Sequence, residues 1–112
     1  MQEQSARVAF MIISDDPERA LPGLVMATRM KVNRDADVRV LFFGPGVRLA
    51  ASGTIDESLA ELRDAGIAAT ACSTNVESYG VTAQIAQRPI DLSSAGAEVE
   101  QFALRGYSIL TF

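Results

Sequence analysis

Residues 67–80 have the sequence IAATACSTNVESYG, and this stretch indicates how the chain as a whole is built. Its first half is small and apolar, which is typical of a short strand buried on both faces of a parallel sheet. Its second half has Thr74 followed three residues later by Glu77, the capping-box pattern of a helix N-terminus. Cys72 is therefore predicted to lie where a strand gives way to a helix. Unpaired backbone N–H groups and the helix dipole favour a thiolate at such a place.

The alternation of strand and helix continues on both sides of this stretch. Apolar runs predict further strands at 7–13, 38–43, 89–92 and 107–112. Helices are predicted from an Asp16 cap to about residue 33, from a second capping box at Thr54 through residue 65, from a Thr82 cap to residue 87, and over 95–105. Residues 47–53, after a Gly-Pro-Gly turn, are predicted to form no more than a helical turn. Such βαβ units predict a parallel sheet covered on both faces.

Composition limits the classes of function. The chain has 112 residues, of which 48% are hydrophobic and 21% charged, so residues 1–112 are predicted to form one globular domain. A net charge of −4 without a basic cluster argues against a nucleic-acid partner. No apolar run has the length of a signal peptide or a membrane span. A lone cysteine indicates a reducing, cytoplasmic setting.

Histidine is absent from the sequence, and there is a single cysteine. Within one chain, this composition excludes structural zinc sites and histidine-based catalytic triads. The glycines of the 44–46 turn lack the spacing of a dinucleotide or P-loop motif. The sequence therefore predicts neither a metal site nor a cofactor.

The carboxyl ends of the predicted strands are where ligands bind in open α/β sheets. The segments that follow the strands are residues 14–16, 44–46, 72–75 and 93–94, and the first three are expected to converge on one crevice. Besides Cys72 as a catalytic candidate, the candidate ligand-binding residues are Ser14, Asp15, Gly44, Gly46, Ser73, Thr74, Asn75 and Tyr79.

Each candidate also has a purely structural interpretation. Cys72 is equally well explained as a nucleophile or sulfur carrier and as a small core residue, because free cysteines are among the most buried residues. Asp15 and Asp16 could serve acid–base chemistry or bind magnesium, but a helix cap at Asp16 with a solvated neighbour is favoured. For residues 44–46 a plain turn is favoured over a phosphate cradle. For Tyr79, packing at a helix end is favoured over a pocket.

Several segments together resemble the DsrE-like proteins of the DsrE/DsrF group. The resemblance is carried, over essentially the whole chain, by IISDDPERA at 12–20, VLFFGPGV at 40–47, ACSTN at 71–75, YGV at 79–81 and GY at 106–107. It implies a three-layer α/β/α sandwich with a five-stranded parallel sheet. It also implies a homo-oligomer, a trimer or a hexamer. The first helix gives mild support for such an interface. It is apolar around more of its circumference than one buried stripe needs, through Val25, Met26, Met30 and Val32.

Two functions remain open at this point. The sulfur-relay members of the group carry one cysteine after a strand near mid-chain, and Cys72 matches that position. The resemblance therefore implies a persulfide carrier that takes sulfur from a donor protein and passes it to an acceptor protein. The alternative is a non-catalytic module, either an oligomeric scaffold or a small-ligand binder that uses the crevice at the strand ends.

Overall fold

The computed structural model describes residues 5–112, and a five-stranded, all-parallel sheet organises them. In space the strands lie in the order β4-β3-β2-β1-β5, so the chain steps outward from β1 to one edge and then crosses to the other. This confirms the predicted fold class. The strands are β1 Arg7–Ile12, β2 Asp37–Phe42, β3 Ala68–Cys72, β4 Asp91–Ser93 and β5 Ser108–Thr111.

Six helices connect the strands. They are α1 Pro17–Arg34, α2 Pro45–Ala51, α3 Asp56–Asp64, α4 Ser73–Ser78, α5 Thr82–Ala86 and α6 Ala95–Leu104. Within residues 5–112, none of them is both long and apolar enough to cross a membrane.

Alternate residues of each strand point to opposite faces of the sheet, and the two faces are covered unequally. One face carries the larger core, in which Phe10, Val40 and Phe42 pack with apolar side chains of α1 to α5. The other face carries a smaller cluster that includes Leu41 and is covered by α6. The sheet is thus the middle of three layers, with a thick helical layer on one side and a single helix on the other.

The first helix begins as the sequence predicts. The Asp16 carboxylate accepts a hydrogen bond from the backbone N–H of Glu18 at 2.9 Å, and Pro17 occupies the first turn. The helix ends at Asp35, which adopts a left-handed conformation with φ 54°. Local chemistry decides both ends of α1.

The two capping boxes and the Thr82 cap were wrong. The residue that precedes α3 is Ile55, that before α4 is Cys72 and that before α5 is Val81, and none of these helices has a side-chain cap hydrogen bond. In α4 the physical reason is the connection: the helix starts at Ser73 directly after β3, so Thr74 already lies inside its first turn. A tight strand–helix junction overrides the local pattern.

Helix α2 is longer than the helical turn that the sequence predicts. Pro45 occupies its first turn, where the missing N–H of proline is not needed. Gly46 packs against the backbone of β1, and a Cβ atom at this position would overlap the carbonyl oxygen of Ile12. Helix α2 can therefore lie directly on the end of β1 only because residue 46 has no side chain.

Candidate functional site

The loop after β2 and the first turn of α4 are joined by a partly buried hydrogen bond. The side-chain oxygen of Asn75 accepts it from the backbone N–H of Gly44 at 2.8 Å. Gly44 has φ 58° and ψ −138°, a conformation that a residue with a Cβ rarely adopts. Two of the candidate residues, Gly44 and Asn75, are thus in contact, and their hydrogen bond fixes the shape of this edge.

A second group of side chains links the loop after β1 to α2 and α4. The Asp15 carboxylate lies 2.9 Å from a terminal nitrogen of Arg48, and both side chains are about half exposed (52%). The Arg48 guanidinium also lies over the Tyr79 ring, 4.9 Å from its centroid, in cation–π geometry. Asp15 and Tyr79 therefore meet through Arg48.

An open groove lies beside this group. It has a volume of about 340 Å³, and its walls include Asp15, Arg48, Leu49 and Ser52. The volume is at the lower end of the range for small-molecule sites. One arginine, a carboxylate and a hydroxyl could orient a polar ligand there. We refer to Asp15, Arg48 and Tyr79 together as the crest cluster.

Ser14 and Gly46 determine the local backbone geometry near the site. The Ser14 hydroxyl accepts a hydrogen bond from the Asp16 N–H at 3.0 Å, which shapes the turn into α1. Gly46 is buried against β1, as described above. Of the two hydroxyl residues that follow Cys72, Ser73 is half-buried and Thr74 is exposed.

Cys72 lies apart from the crest cluster. It is buried, with 5% of its surface exposed, and belongs to the smaller core cluster with Leu41 and Ala95, under α6. Tyr79 packs against the larger core on the opposite face of the sheet. Cys72 is also the N-cap residue of α4, yet its side chain makes no capping hydrogen bond. The structure therefore divides the predicted site between the two faces.

The geometry can be set beside known proteins. The model of the DsrE/DsrF-like family matches residues 6–112, nearly the full length of the chain. The chain belongs to the DsrE/DsrF-like family. No curated protein matches the chain.

Solved structures confirm the DsrE/DsrF-like fold of the chain. A conserved protein of unknown function from Bacteroides thetaiotaomicron is 20% identical and superimposes with a TM-score of 0.86, covering 95% of this chain and 94% of its own. A protein of unknown function from Methanobacterium thermoautotrophicum is 21% identical, with a TM-score of 0.77 and coverages of 96% and 100%. The ychN protein from E. coli is 15% identical, with a TM-score of 0.72 and coverages of 95% and 99%. At these identities the likeness concerns the fold alone.

Arg48 is the residue of this DsrE/DsrF-like chain that sequence reasoning missed. Its position in the segment 47–53, predicted as no more than a helical turn, gave no indication of the direction of its side chain. Once α2 is seen to start at Pro45, Arg48 falls in its last turn, close to the loop after β1. Recognition of proline as the first residue of a helix was the available signal.

Among residues 5–112, no group of three or more His, Cys, Asp or Glu side chains could hold a metal ion. The two carboxylates of the loop after β1 are instead engaged by an arginine and by a helix start. Asp15 pairs with Arg48, and Asp16 caps α1. The chemistry that the site offers is therefore that of one thiol on one face and one ion pair on the other.

Proposed function

We propose that this DsrE/DsrF-like protein is a cytoplasmic sulfur carrier that holds a persulfide on Cys72. The observation that carries the proposal is the position of Cys72, the sole cysteine, at the carboxyl end of β3 in a chain of this family. This is the edge at which open α/β sheets place their ligands. Helix α4 starts at Ser73, immediately after Cys72.

The transfer step conserves atoms and electrons. The Cys72 thiolate attacks the outer sulfur of a donor persulfide, R–S–SH. The S–S bond of the donor breaks as the new S–S bond forms, the donor leaves as the thiolate R–S⁻, and Cys72 becomes Cys–S–SH. In the second transfer an acceptor thiolate attacks the outer sulfur of the Cys72 persulfide, and Cys72 leaves as a thiolate. No external oxidant or reductant is consumed.

Because Cys72 is buried, the transfer requires a local opening that lets the donor reach its sulfur. The partner of Cys72 in the sheet is Ser93, in the three-residue edge strand β4, and the buried Ala95 packs in the same cluster. A short edge strand with few buried apolar contacts opens at low free-energy cost. Local opening of β4 and the 93–94 loop, away from the crest cluster, is the route by which a donor reaches the sulfur.

The experiment is persulfide loading of the native protein, read by intact-mass spectrometry. We expect the wild type to gain one sulfur atom from glutathione persulfide and Cys72→Ser to gain none. A matched control is Thr74→Cys in the Cys72→Ser background, because Thr74 is exposed in the first turn of α4, two residues after Cys72. Its alkylation rate gives the rate of an accessible thiol at this place.

The alkylation rate of wild-type Cys72 decides the proposal. A rate within about tenfold of the control thiol supports a carrier. Alkylation that occurs only at the rate of global unfolding, together with no sulfur gain, would make Cys72 a core residue and refute the carrier function.

The crest cluster favours a second candidate, a small-ligand-binding module without catalysis. The cluster pairs an exposed arginine with an aromatic ring beside an open groove, and none of this requires the thiol. A ligand of this groove should stabilise the wild type and Cys72→Ser equally in thermal unfolding. Loss of the stabilisation in Arg48→Gln would assign the ligand to the crest cluster.

In either function we propose a homo-oligomer, a trimer or a hexamer. Val25, Met26 and Val32 on α1 are 40%, 48% and 65% exposed, and a groove of about 420 Å³ runs along the same helix between Pro22 and Arg34. Exposed apolar side chains that share one helix support an interface. Sedimentation equilibrium tests it, and a monomeric mass throughout the micromolar range would contradict it.

A further inference from the structure

A second polar cavity lies at the opposite end of the sheet from the crest cluster. It is about 190 Å³ in volume and opens between α6 and the amino ends of the central strands. Its walls are formed by Arg39, Glu98, Gln101, Phe102, Arg105 and Tyr107. Arg39 is the third residue of β2 and lies three residues, or roughly 10 Å along the strand, from Phe42 at the carboxyl end.

One wall of the cavity is held in place by a network of side chains. The Tyr107 hydroxyl donates a hydrogen bond to Asp37 at 2.6 Å, and Arg39 lies 3.5 Å from the same carboxylate. The Arg39 guanidinium stands over the Tyr107 ring, 5.7 Å from its centroid, and Tyr107 packs against Phe102. Arg39 is thus oriented before any ligand arrives, which lowers the entropic cost of binding.

The other wall belongs to α6 and the residue that follows it, and it carries polar side chains. Glu98, Gln101 and Arg105 follow one another at spacings of three and four residues, so they share one side of the helix. Within residues 5–112, no side-chain hydrogen bond or ion pair engages any of the three. The backbone carbonyl of Arg105 accepts a hydrogen bond from Arg7 at 2.7 Å, which fixes the end of the helix.

The charges of the cavity are unusual for an acidic protein. Its lining carries two guanidinium groups, Arg39 and Arg105, and one carboxylate, Glu98, in a chain whose net charge is −4; the Asp37 carboxylate lies 3.5 Å from Arg39 outside this lining. Planar guanidinium groups bind carboxylate, phosphate and sulfate through paired hydrogen bonds. The volume is below that of drug-sized sites, so only a small molecule fits.

We propose that this cavity binds a small oxyanion-bearing molecule, whose anionic group is held between Arg39 and Arg105. Glu98 selects ligands that also carry a cationic or hydrogen-bond-donating group. A small amino acid satisfies both requirements, whereas a simple carboxylate or inorganic phosphate satisfies the first alone. The site is independent of Cys72 and of the crest cluster, so it stands whether or not the sulfur-carrier proposal does.

The test is an NMR titration of the full chain with three probes: acetate, inorganic phosphate and glycine, at constant ionic strength. We expect amide shifts concentrated at Gln101, Arg105 and Tyr107, with glycine binding more tightly than acetate. Arg105→Gln should weaken the binding of all three probes by about tenfold or more, because a charge-assisted contact is lost. Glu98→Gln should remove the preference for glycine and tighten phosphate.

The substitutions are placed where they should not impair folding, so that a loss of binding can be assigned to the lost ligand contact. Within residues 5–112 the side chains of Arg105 and Glu98 make no hydrogen bond or ion pair, and Arg105 is exposed, so both variants should fold as the wild type does. Arg63→Gln on α3, an exposed arginine paired only with its neighbour Asp64, serves as the charge-matched control and should leave binding unchanged. Equal binding in Arg105→Gln and wild type, or shifts spread evenly over the surface, would overturn the proposal.

Discussion

Replacement of Gly46 by alanine measures how closely α2 packs on the end of β1. A Cβ atom at position 46 would overlap the carbonyl oxygen of Ile12 and would lie 2.8 Å from its carbonyl carbon and 3.3 Å from the Ile13 nitrogen. All three are backbone atoms, which cannot rotate away as a side chain can. The carbonyl of Ile12 also accepts a hydrogen bond from the Phe43 N–H at 3.0 Å. The substitution must therefore move α2, the end of β1, or both.

The expected loss of stability follows from three terms. Overpacking against a rigid neighbour costs about 3 kcal/mol. Weakening of the Ile12–Phe43 hydrogen bond costs about 1 kcal/mol more. Alanine in a helix recovers about 1 kcal/mol relative to glycine. The net decrease in the free energy of unfolding is then about 3 kcal/mol, a large share of the 5–15 kcal/mol typical of a domain.

Urea denaturation followed by circular dichroism is the assay. With a denaturant dependence of about 1.5 kcal/mol/M, the midpoint of Gly46→Ala should fall by about 2 M. Gly96→Ala is the matched control, because Gly96 is exposed in α6 and the nearest atom to an added Cβ is the Ser94 hydroxyl at 3.9 Å. The same substitution should there raise stability by about 0.5–1 kcal/mol.

Opposite signs for one chemical change would show that the local environment of Gly46, and not a general property of alanine, sets the cost. A Gly46→Ala stability within about 0.5 kcal/mol of wild type would refute the packing argument. The glycine would then need another explanation, such as close approach of a ligand to its backbone.

Two further substitutions test hydrogen bonds on either side of the molecule. Asn75→Ala should lower the free energy of unfolding by about 1–2 kcal/mol, because the partly buried Gly44 N–H loses its acceptor. Asn75→Asp keeps an acceptor oxygen and should lose less stability. Equal losses for the two variants in urea denaturation would argue against the hydrogen bond. Tyr107→Phe should destabilise the protein in a pH-dependent manner, because the Tyr107 hydrogen bond lowers the pKa of Asp37 and burial raises the pKa of Tyr107. The Asp37 contribution to stability is present above the unfolded pKa of about 3.9 and is lost as the pH falls through the lower pKa of the folded state. The Tyr107 contribution to stability is present below the unfolded pKa of about 10 and is lost as the pH rises through the higher pKa of the folded state. The difference between wild type and Tyr107→Phe, from urea midpoints, should thus be largest between about pH 5 and 9, and a difference unchanged down to pH 2 would contradict this.

Local patterns predicted the scaffold well. Apolar runs placed all five strands within a few residues. For the largely buried β1, β2 and β3 the reason is that buried parallel strands need continuous apolar sequence, whereas the edge strands β4 and β5 are mostly exposed. The Asp16 cap was recognised because an acidic cap followed by proline determines a helix start by itself. Pro89 and Ile90, in contrast, precede β4, which pairs only from Asp91 onward.

The remainder of the site depends on contacts distant in sequence. Asn75 lies between the two residues of the predicted capping box, Thr74 and Glu77, but in the structure its side chain bonds to Gly44, 31 residues away. Arg48 joins Asp15 across 33 residues. No window of sequence contains both partners, so the crest cluster could be expected only as a set of loops at one edge of the sheet and not as these particular pairs.

The two candidate functions use residues on opposite faces of the sheet. Cys72 lies on the side of α6, where the cover is one helix and a three-residue edge strand. Tyr79 packs against the larger core on the other side, and Arg48 lies over its ring. A ligand in the crest groove need not contact the sulfur, and a persulfide donor need not displace the Asp15–Arg48 pair. Arg48→Gln and Cys72→Ser should therefore affect ligand binding and sulfur loading independently. Mutual effects would instead mean that one site spans the strand ends and uses both faces.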